Sequence, residues 1–289
     1  MFAALCAACL LAGCSTTPAT QQTPPPATTT TSPGAPAPTV PRPDHVVVVL
    51  EENHSYDDII GSSDAPYLNS LASRGALFTK SFALTHPSEP NYIALFSGST
   101  QDVTSDSCPH TFTSDNLGNQ LRTAGRTYTS YSESLPSPGS TVCTSGDYAR
   151  KHNPSVNFTD LPASTNQPFS AFPTNYSDLP TVSFVDPNLQ DDMHDGTVQQ
   201  GDSWLKKNLD GYARWATTHN SLLIITWDED DQSQDNQIPT IVVGGTVKPG
   251  HYDEHITHYT VLRTLEAAYG LPPLANAAGQ PPITDIWSH

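Results

Sequence analysis

Charged side chains are few in this chain. Asp, Glu, Lys and Arg supply 14% of its 289 residues, and the basic sign is the scarcer, 12 Lys and Arg against 29 Asp and Glu. The formal net charge of −17 repels polyanions at long range, which argues against nucleic acid or an anionic membrane surface as the main partner. Long apolar runs are missing as well: none reaches the roughly 18 residues that a membrane-spanning helix requires. No G-x-S-x-G occurs, so the strand-to-helix elbow that carries the serine of esterase triads has no counterpart. Cysteine is limited to 5 residues, and no internal repeat is visible.

Proline, by contrast, is plentiful and uneven. Residues 15–43 hold nine Pro and nine Thr, with Arg42 as their one charge. Such a segment has almost nothing to bury against the entropy of ordering, so it reads as a disordered stalk, extending at about 3.1 Å per residue. Ahead of it, FAALCAACLLAG over 2–13 is an apolar run too short to span a bilayer and ends in small residues, like the core of an export signal. Leu11-Ala12-Gly13-Cys14 resembles a bacterial lipobox, which implies a lipid on Cys14; a simple cleaved signal would instead leave a secreted protein. The expected organisation is a signal peptide over 1–13, a linker over 14–43 and one folded domain over 44–289, with the membrane reached only through Cys14. Cys108 and Cys143 remain, an even pair in an oxidising compartment and most simply a disulfide. Two metal-ligating thiolates are the lesser alternative, since neither lies in a CxxC or near a His pair with ligand spacing.

Over 44–289 apolar strands alternate with helical patterns. His45–Leu50 is a β-branched run suited to a strand buried on both faces, and Leu77–Leu84, Thr127–Tyr131, Thr181–Val185, Leu222–Trp227 and Thr240–Val243 read as further strands. Ala65–Arg74, Asn91–Ser97, Asp115–Ala124, Val198–Thr217 and Tyr259–Tyr269 read as helices, and 132–180 as a long ordered loop with a short helix over Tyr148–His152. The order predicts an α/β fold with a mainly parallel sheet flanked by helices. Acids and amides follow the strands directly: Glu51-Glu52-Asn53, Asp186-Pro187-Asn188 and Asp228-Glu229-Asp230-Asp231. In an open parallel sheet ligands bind at the carboxyl ends of strands. Carboxylates converging there repel one another unless a cation neutralises them, so a hard divalent metal with oxygen ligands is the expected cofactor. Acids at loop ends are commonplace singly; their recurrence after several strands favours a site.

Ser88 lies in His86-Pro87-Ser88-Glu89-Pro90-Asn91-Tyr92, just before a helix expected to start near Asn91 with Pro90 at its first position. A helix start stabilises an anion, so Ser88 is either a nucleophile or an ordinary N-cap. His86 is close enough in sequence to handle its proton.

These residues resemble a known family. Glu51-Glu52-Asn53-His54-Ser55-Tyr56 with Gly61 resembles the opening motif of the acid phosphatase and bacterial phospholipase C family, within the alkaline phosphatase superfamily. Ser88-Glu89-Pro90-Asn91-Tyr92 is similar to the nucleophile segment Thr/Ser-x-Pro-Asn-His of related phosphodiesterases, and YARKHNP at 148–154, FVDPNLQDDMHD at 184–195, TWDE at 226–229 and HYTVLRTLE at 258–266 continue the likeness in order. The resemblance implies an alkaline phosphatase-like fold and a metal held by Glu52, Asn53, Asp228, Glu229 and the Ser88 hydroxyl. It implies attack by Ser88 on a phosphate ester through a phosphoserine. Asn91 would bind a phosphate oxygen, and His152, His194 and His258 would stabilise phosphoryl charge, protonate the leaving oxygen or bind a second metal with Asp192. The expected activity is a phosphomonoesterase acting on a small phosphate ester, with a phosphodiesterase or phospholipase C as near neighbour. A sulfatase would need Arg where Tyr92 stands. A non-catalytic metal-binding surface lipoprotein is the reading from another class, but a nucleophile kept with its metal ligands would be surplus to it.

Overall fold

The structure, a computed structural model, describes residues 40–288. The expected signal run, Cys14 and nearly all of the stalk lie outside the described residues. Val40 packs against the apolar core and Pro43 is buried, so the end of the expected linker belongs to the folded unit. No helix among the described residues is long and apolar enough to cross a membrane.

The main sheet contains β1 (His45–Glu51), β2 (Ala76–Phe82), β3 (Tyr128–Ser132), β6 (Asn166–Pro168), β7 (Val182–Asp186), β8 (Ser221–Trp227), β9 (Gln237–Gly244), β10 (Gly250–Tyr252) and β11 (Ile256–Thr257). A separate hairpin pairs β4 (Thr144–Ser145) with β5 (Tyr148–Ala149). The strand order is β10-β2-β9-β8-β1-β7-β3-β6, with β11 also on β2. All pairings in this sheet are parallel except those of β9, which runs antiparallel to both β2 and β8. Hence β1, β2, β3, β7 and β8 all end at one edge.

Helices α1 (Tyr56–Ile59), α2 (Pro66–Arg74), α3 (Ser88–Ser97), α4 (Leu117–Thr123), α5 (Val198–Ala216) and α6 (His258–Tyr269) cover both faces. The side-chain alternation of β1 explains its unbroken valine run. Val46, Val48 and Leu50 meet α3, α4 and α6, while Val47 and Val49 meet α2 and α5. Each such buried side chain contributes roughly 1.5–3 kcal/mol of hydrophobic stabilisation.

Two local expectations need correction. Helix α3 begins at Ser88, not near Asn91, with Pro87 as N-cap. Pro90 is tolerated in its first turn because no N–H there has an intrahelical partner. All of its residues are buried, and Gly98 stops it at φ +73°, where a Cβ would lie 2.3 Å from the Leu274 carbonyl oxygen. The expected short helix over 148–152 is β5 followed by a 3₁₀ turn over Arg150–His152. That turn is fastened by Arg150, whose guanidinium donates to Asn157 Oδ1, to the Thr141 and His110 carbonyls and to that of Val156.

Candidate active site

The strand ends assemble one cluster. Glu52 follows β1, Asp228 and Glu229 follow β8, and Ser88 opens α3 beyond the end of β2. Ser88 Oγ donates to Glu52 Oε2 at 3.0 Å and to Glu229 Oε1 at 2.9 Å. An N-cap hydroxyl would accept from the helix instead, so Ser88 does not serve as the N-cap. One oxygen each from Glu52, Asp228 and Glu229 lies within 4.8 Å of the others. Asn53, at φ +51°, donates its backbone N–H to Asp228 Oδ1 at 3.3 Å, and its side-chain amide faces oxygens of Glu52 and Glu229. His86 Nδ1 hydrogen-bonds Glu229 Oε2, and its Nε2 lies 3.2 Å from Asp230 Oδ1.

A second group sits on the other side of Glu52. The strand-end acid that reaches it from β7 is Asp192; Asp186 is held away by Ser130 and Ser132, each donating at 2.9 Å, and Asn188 folds back on the loop. His152 lies between Asp192 Oδ2, 2.9 Å from Nδ1, and Glu52 Oε1, 3.0 Å from Nε2, with its ring stacked on Tyr92. Nitrogens of His152 and His194 and an oxygen of Glu52 also lie within 4.8 Å of one another. Tyr92 thus stacks beneath a site histidine, a role that its place in the nucleophile segment did not reveal.

Two expected contributors are placed differently. Asn91 Oδ1 accepts from the Leu84 and Thr85 N–H groups and Nδ2 donates to the Thr85 and Pro87 carbonyls, so its amide fastens the loop before Ser88 and is not turned to a phosphate oxygen. His258, buried at the start of α6, has Nε2 2.8 Å from the Asp228 carbonyl oxygen. It orients the peptide that carries Asp228, and among the described residues no hydrogen bond joins it to the second group.

Residues 62–272 match the Phosphoesterase family. The chain belongs to the phosphoesterase family. It is 55% identical over 257 residues to a phosphatidylinositol-3-phosphatase of Mycobacterium tuberculosis, covering 88% of this chain and 86% of that one. An acid phosphatase of Aspergillus fumigatus is 30% identical over 244 residues, which cover 77% of this chain and 54% of the fungal one. Among solved structures, an alkaline phosphatase superfamily protein from Vibrio parahaemolyticus superposes with a TM-score of 0.57 at 15% identity, over 85% of this chain and 72% of that one. At that identity the likeness concerns the fold. The chain is therefore a hydrolase of phosphate esters with an alkaline phosphatase-like α/β architecture, as its ordered motifs led one to expect.

The electrostatics of this phosphoesterase suit a cation. Burial, then the charges of Glu52 and Glu229, push the Asp228 carboxyl well above the ordinary range, and burial likewise raises Glu229. Asp228 Oδ2 is buried without a hydrogen-bond partner. Crowded carboxylate and amide oxygens with one lone pair set orphaned are a donor set for a hard divalent ion, which relieves both the repulsion and the orphaned atom. At the second group burial alone would lower His152, but the Glu52 charge and its bonds to Asp192 and Glu52 raise it to about 10, so it is an imidazolium at neutral pH. Burial raises Glu52, yet the His152 charge and the hydrogen bonds from His152 and Tyr92 outweigh that and hold it below its usual value. His258 is driven the opposite way, down to about 4 by burial, so it is neutral and its Nε2–H donates to Asp228.

Proposed function

We propose that the chain is a metal-dependent phosphomonoesterase in which Ser88 attacks phosphorus and carries the phosphoryl group as phosphoserine. The observation that supports this most is the buried Ser88 hydroxyl at hydrogen-bond distance from Glu52 and Glu229, with Asp228 and Asn53 beside them. Glu52, Asn53, Ser88, Asp228 and Glu229 would hold the cation. A divalent ion bound there supplies Lewis acidity that lowers the pKa of the serine hydroxyl and offsets phosphoryl charge. The Ser88 oxygen bonds to phosphorus while the bond from phosphorus to the alcohol oxygen breaks. The serine proton passes to Glu229, whose other oxygen is held by the solvent-facing His86, and returns from there to the departing alcohol oxygen. Water then bonds to the phosphoserine phosphorus, giving its proton to the same carboxylate, and the Ser88 oxygen leaves and is reprotonated. His152 acts as a fixed positive charge between Glu52 and Asp192, and Asp192 holds it in place. The substrate class is a phosphate monoester, and the name of the mycobacterial relative makes a phosphorylated inositol lipid the first to test.

Ser88→Ala is expected to lower kcat by at least about 10³-fold. Acid-quenched wild-type enzyme should carry one phosphoryl group on the peptide containing Ser88. Turnover by Ser88→Ala near the wild-type rate would end the proposal. Export through the apolar run at 2–13, with a lipid on Cys14, is part of the same reading and is supported by the Cys108–Cys143 disulfide. Full-length chain should partition into detergent and the Cys14→Ser chain should not; equal partitioning would remove the anchor.

A further inference from the structure

Lys151 stands next to His152 in the 3₁₀ turn, and none of the chemistry above uses it. Its Nζ lies 3.0 Å from Asp106 Oδ2 and 3.0 Å from His194 Nε2, and 18% of its side chain is exposed. An ammonium only donates, so His194 Nε2 accepts, and Nδ1–H donates to Asp195 Oδ1 at 2.8 Å. Both ring nitrogens of His194 are thereby engaged. Two of the three ammonium donors have protein partners among the described residues; the third has none.

The position is specific. A nitrogen of His194 lies within 4.8 Å of a Glu52 carboxylate oxygen, and Glu52 Oε2 is 3.0 Å from Ser88 Oγ. The ammonium is therefore linked to the nucleophile through two side chains, His194 and Glu52. A phosphate ester entering there meets Glu52, Asp192, Asp228 and Glu229, and it needs positive charge from the chain as well as from an ion. The neighbouring Arg150 is unable to help, because its guanidinium is turned inward and spent on four protein acceptors. His152 is held at both nitrogens by carboxylates.

We propose that Lys151, cradled between Asp106 and His194, is a substrate-binding residue whose free donor takes a non-bridging oxygen of the phosphate ester at Ser88. This rests on the Ser88 reading given above. No bond is made or broken by Lys151; it fixes the phosphoryl group for attack as a point charge with a directed N–H.

The test uses inorganic phosphate as probe and is run in the Ser88→Ala background as well as in the otherwise wild-type chain. Lys151→Met should weaken phosphate binding, measured by calorimetry with a saturating divalent metal, by about 10- to 100-fold. It should raise KM for a monoester by a similar factor and leave metal affinity within about twofold. Lys151→Arg should restore most of the phosphate affinity, and Lys151→Gln, close in length but neutral, should behave like Met, which separates charge from packing. Unchanged phosphate affinity in a folded Lys151→Met or Lys151→Gln chain would overturn the proposal, as would a parallel loss of metal affinity. Activity retained by Ser88→Ala alone would instead strike the nucleophile assignment, which this binding readout leaves separate.

Discussion

Ser88 and Asn91 sit one turn apart on α3, and their hydrogen bonds give them opposite parts. Ser88 donates into the acid cluster, while Asn91 ties down the loop through which the chain reaches it. The sequence placed Ser88 beside a helix start, but the direction of the Asn91 amide depends on backbone atoms at positions 84–87 that no motif encodes. Asp186 makes a similar point about strand ends. Its Oδ2 accepts from two serines, its Oδ1 is unpartnered, and burial lifts its carboxyl to about 7, above the 3.8 of a free side chain. The folded state therefore holds a proton that the unfolded chain has released, so stability should fall as pH rises from about 4 to about 7 and level off above that. Asp186→Asn imitates the neutral form. Thermal unfolding of both proteins across this range, in metal-free buffer, should show a shallower decline for the variant; parallel profiles would refute the assignment.

At the level of elements, the site is a meeting of pieces held by different means. The strands bring Glu52, Asp228 and Glu229 together through parallel register, with β1 pairing β8 from His45↔Ser221 to Glu51↔Trp227. The pieces carrying Lys151, His152 and Asp106 belong to loops, and a disulfide joins them. Cys108–Cys143, with Cα atoms 5.9 Å apart, lies two residues after Asp106, and the Cys143 carbonyl accepts the Arg150 N–H at 2.9 Å. Replacing both cysteines with serine should cost about 3–4 kcal/mol in denaturant unfolding, because the open chain regains loop entropy. It should also raise KM for a monoester, since the Asp106 side of the Lys151 cradle is released. An unchanged unfolding midpoint and KM would show that Arg150 holds these loops without the crosslink. The pairing was legible from the two cysteines left over 44–289, whereas the turn it secures was not. Residues 148–152 have too little periodicity to separate a helical turn from a short strand followed by one.

For the whole molecule, the −17 charge is less of an obstacle to an anionic substrate than it looks, because exposed charges are screened over about 8 Å at physiological salt. The local excess of buried acids matters more. An ion that binds the folded cluster and not the unfolded chain should raise Tm by roughly 5–10 °C at a hundredfold excess over its Kd. Chelation should reverse that shift and abolish turnover together. A Tm indifferent to every divalent ion tried would contradict the metal assignment. The α/β class, the parallel core strands and the acids that follow them could all be read along the chain, since β-branched runs, turn residues and their order are local properties. Convergence was not local. The antiparallel β9 that turns β2 to end beside β8, the six-residue reach from Asp186 to Asp192, and the contacts of Lys151 with Asp106 and His194 join residues far apart in sequence. They follow from how helices pack on two faces of one sheet, where distance along the chain carries no information about distance in space.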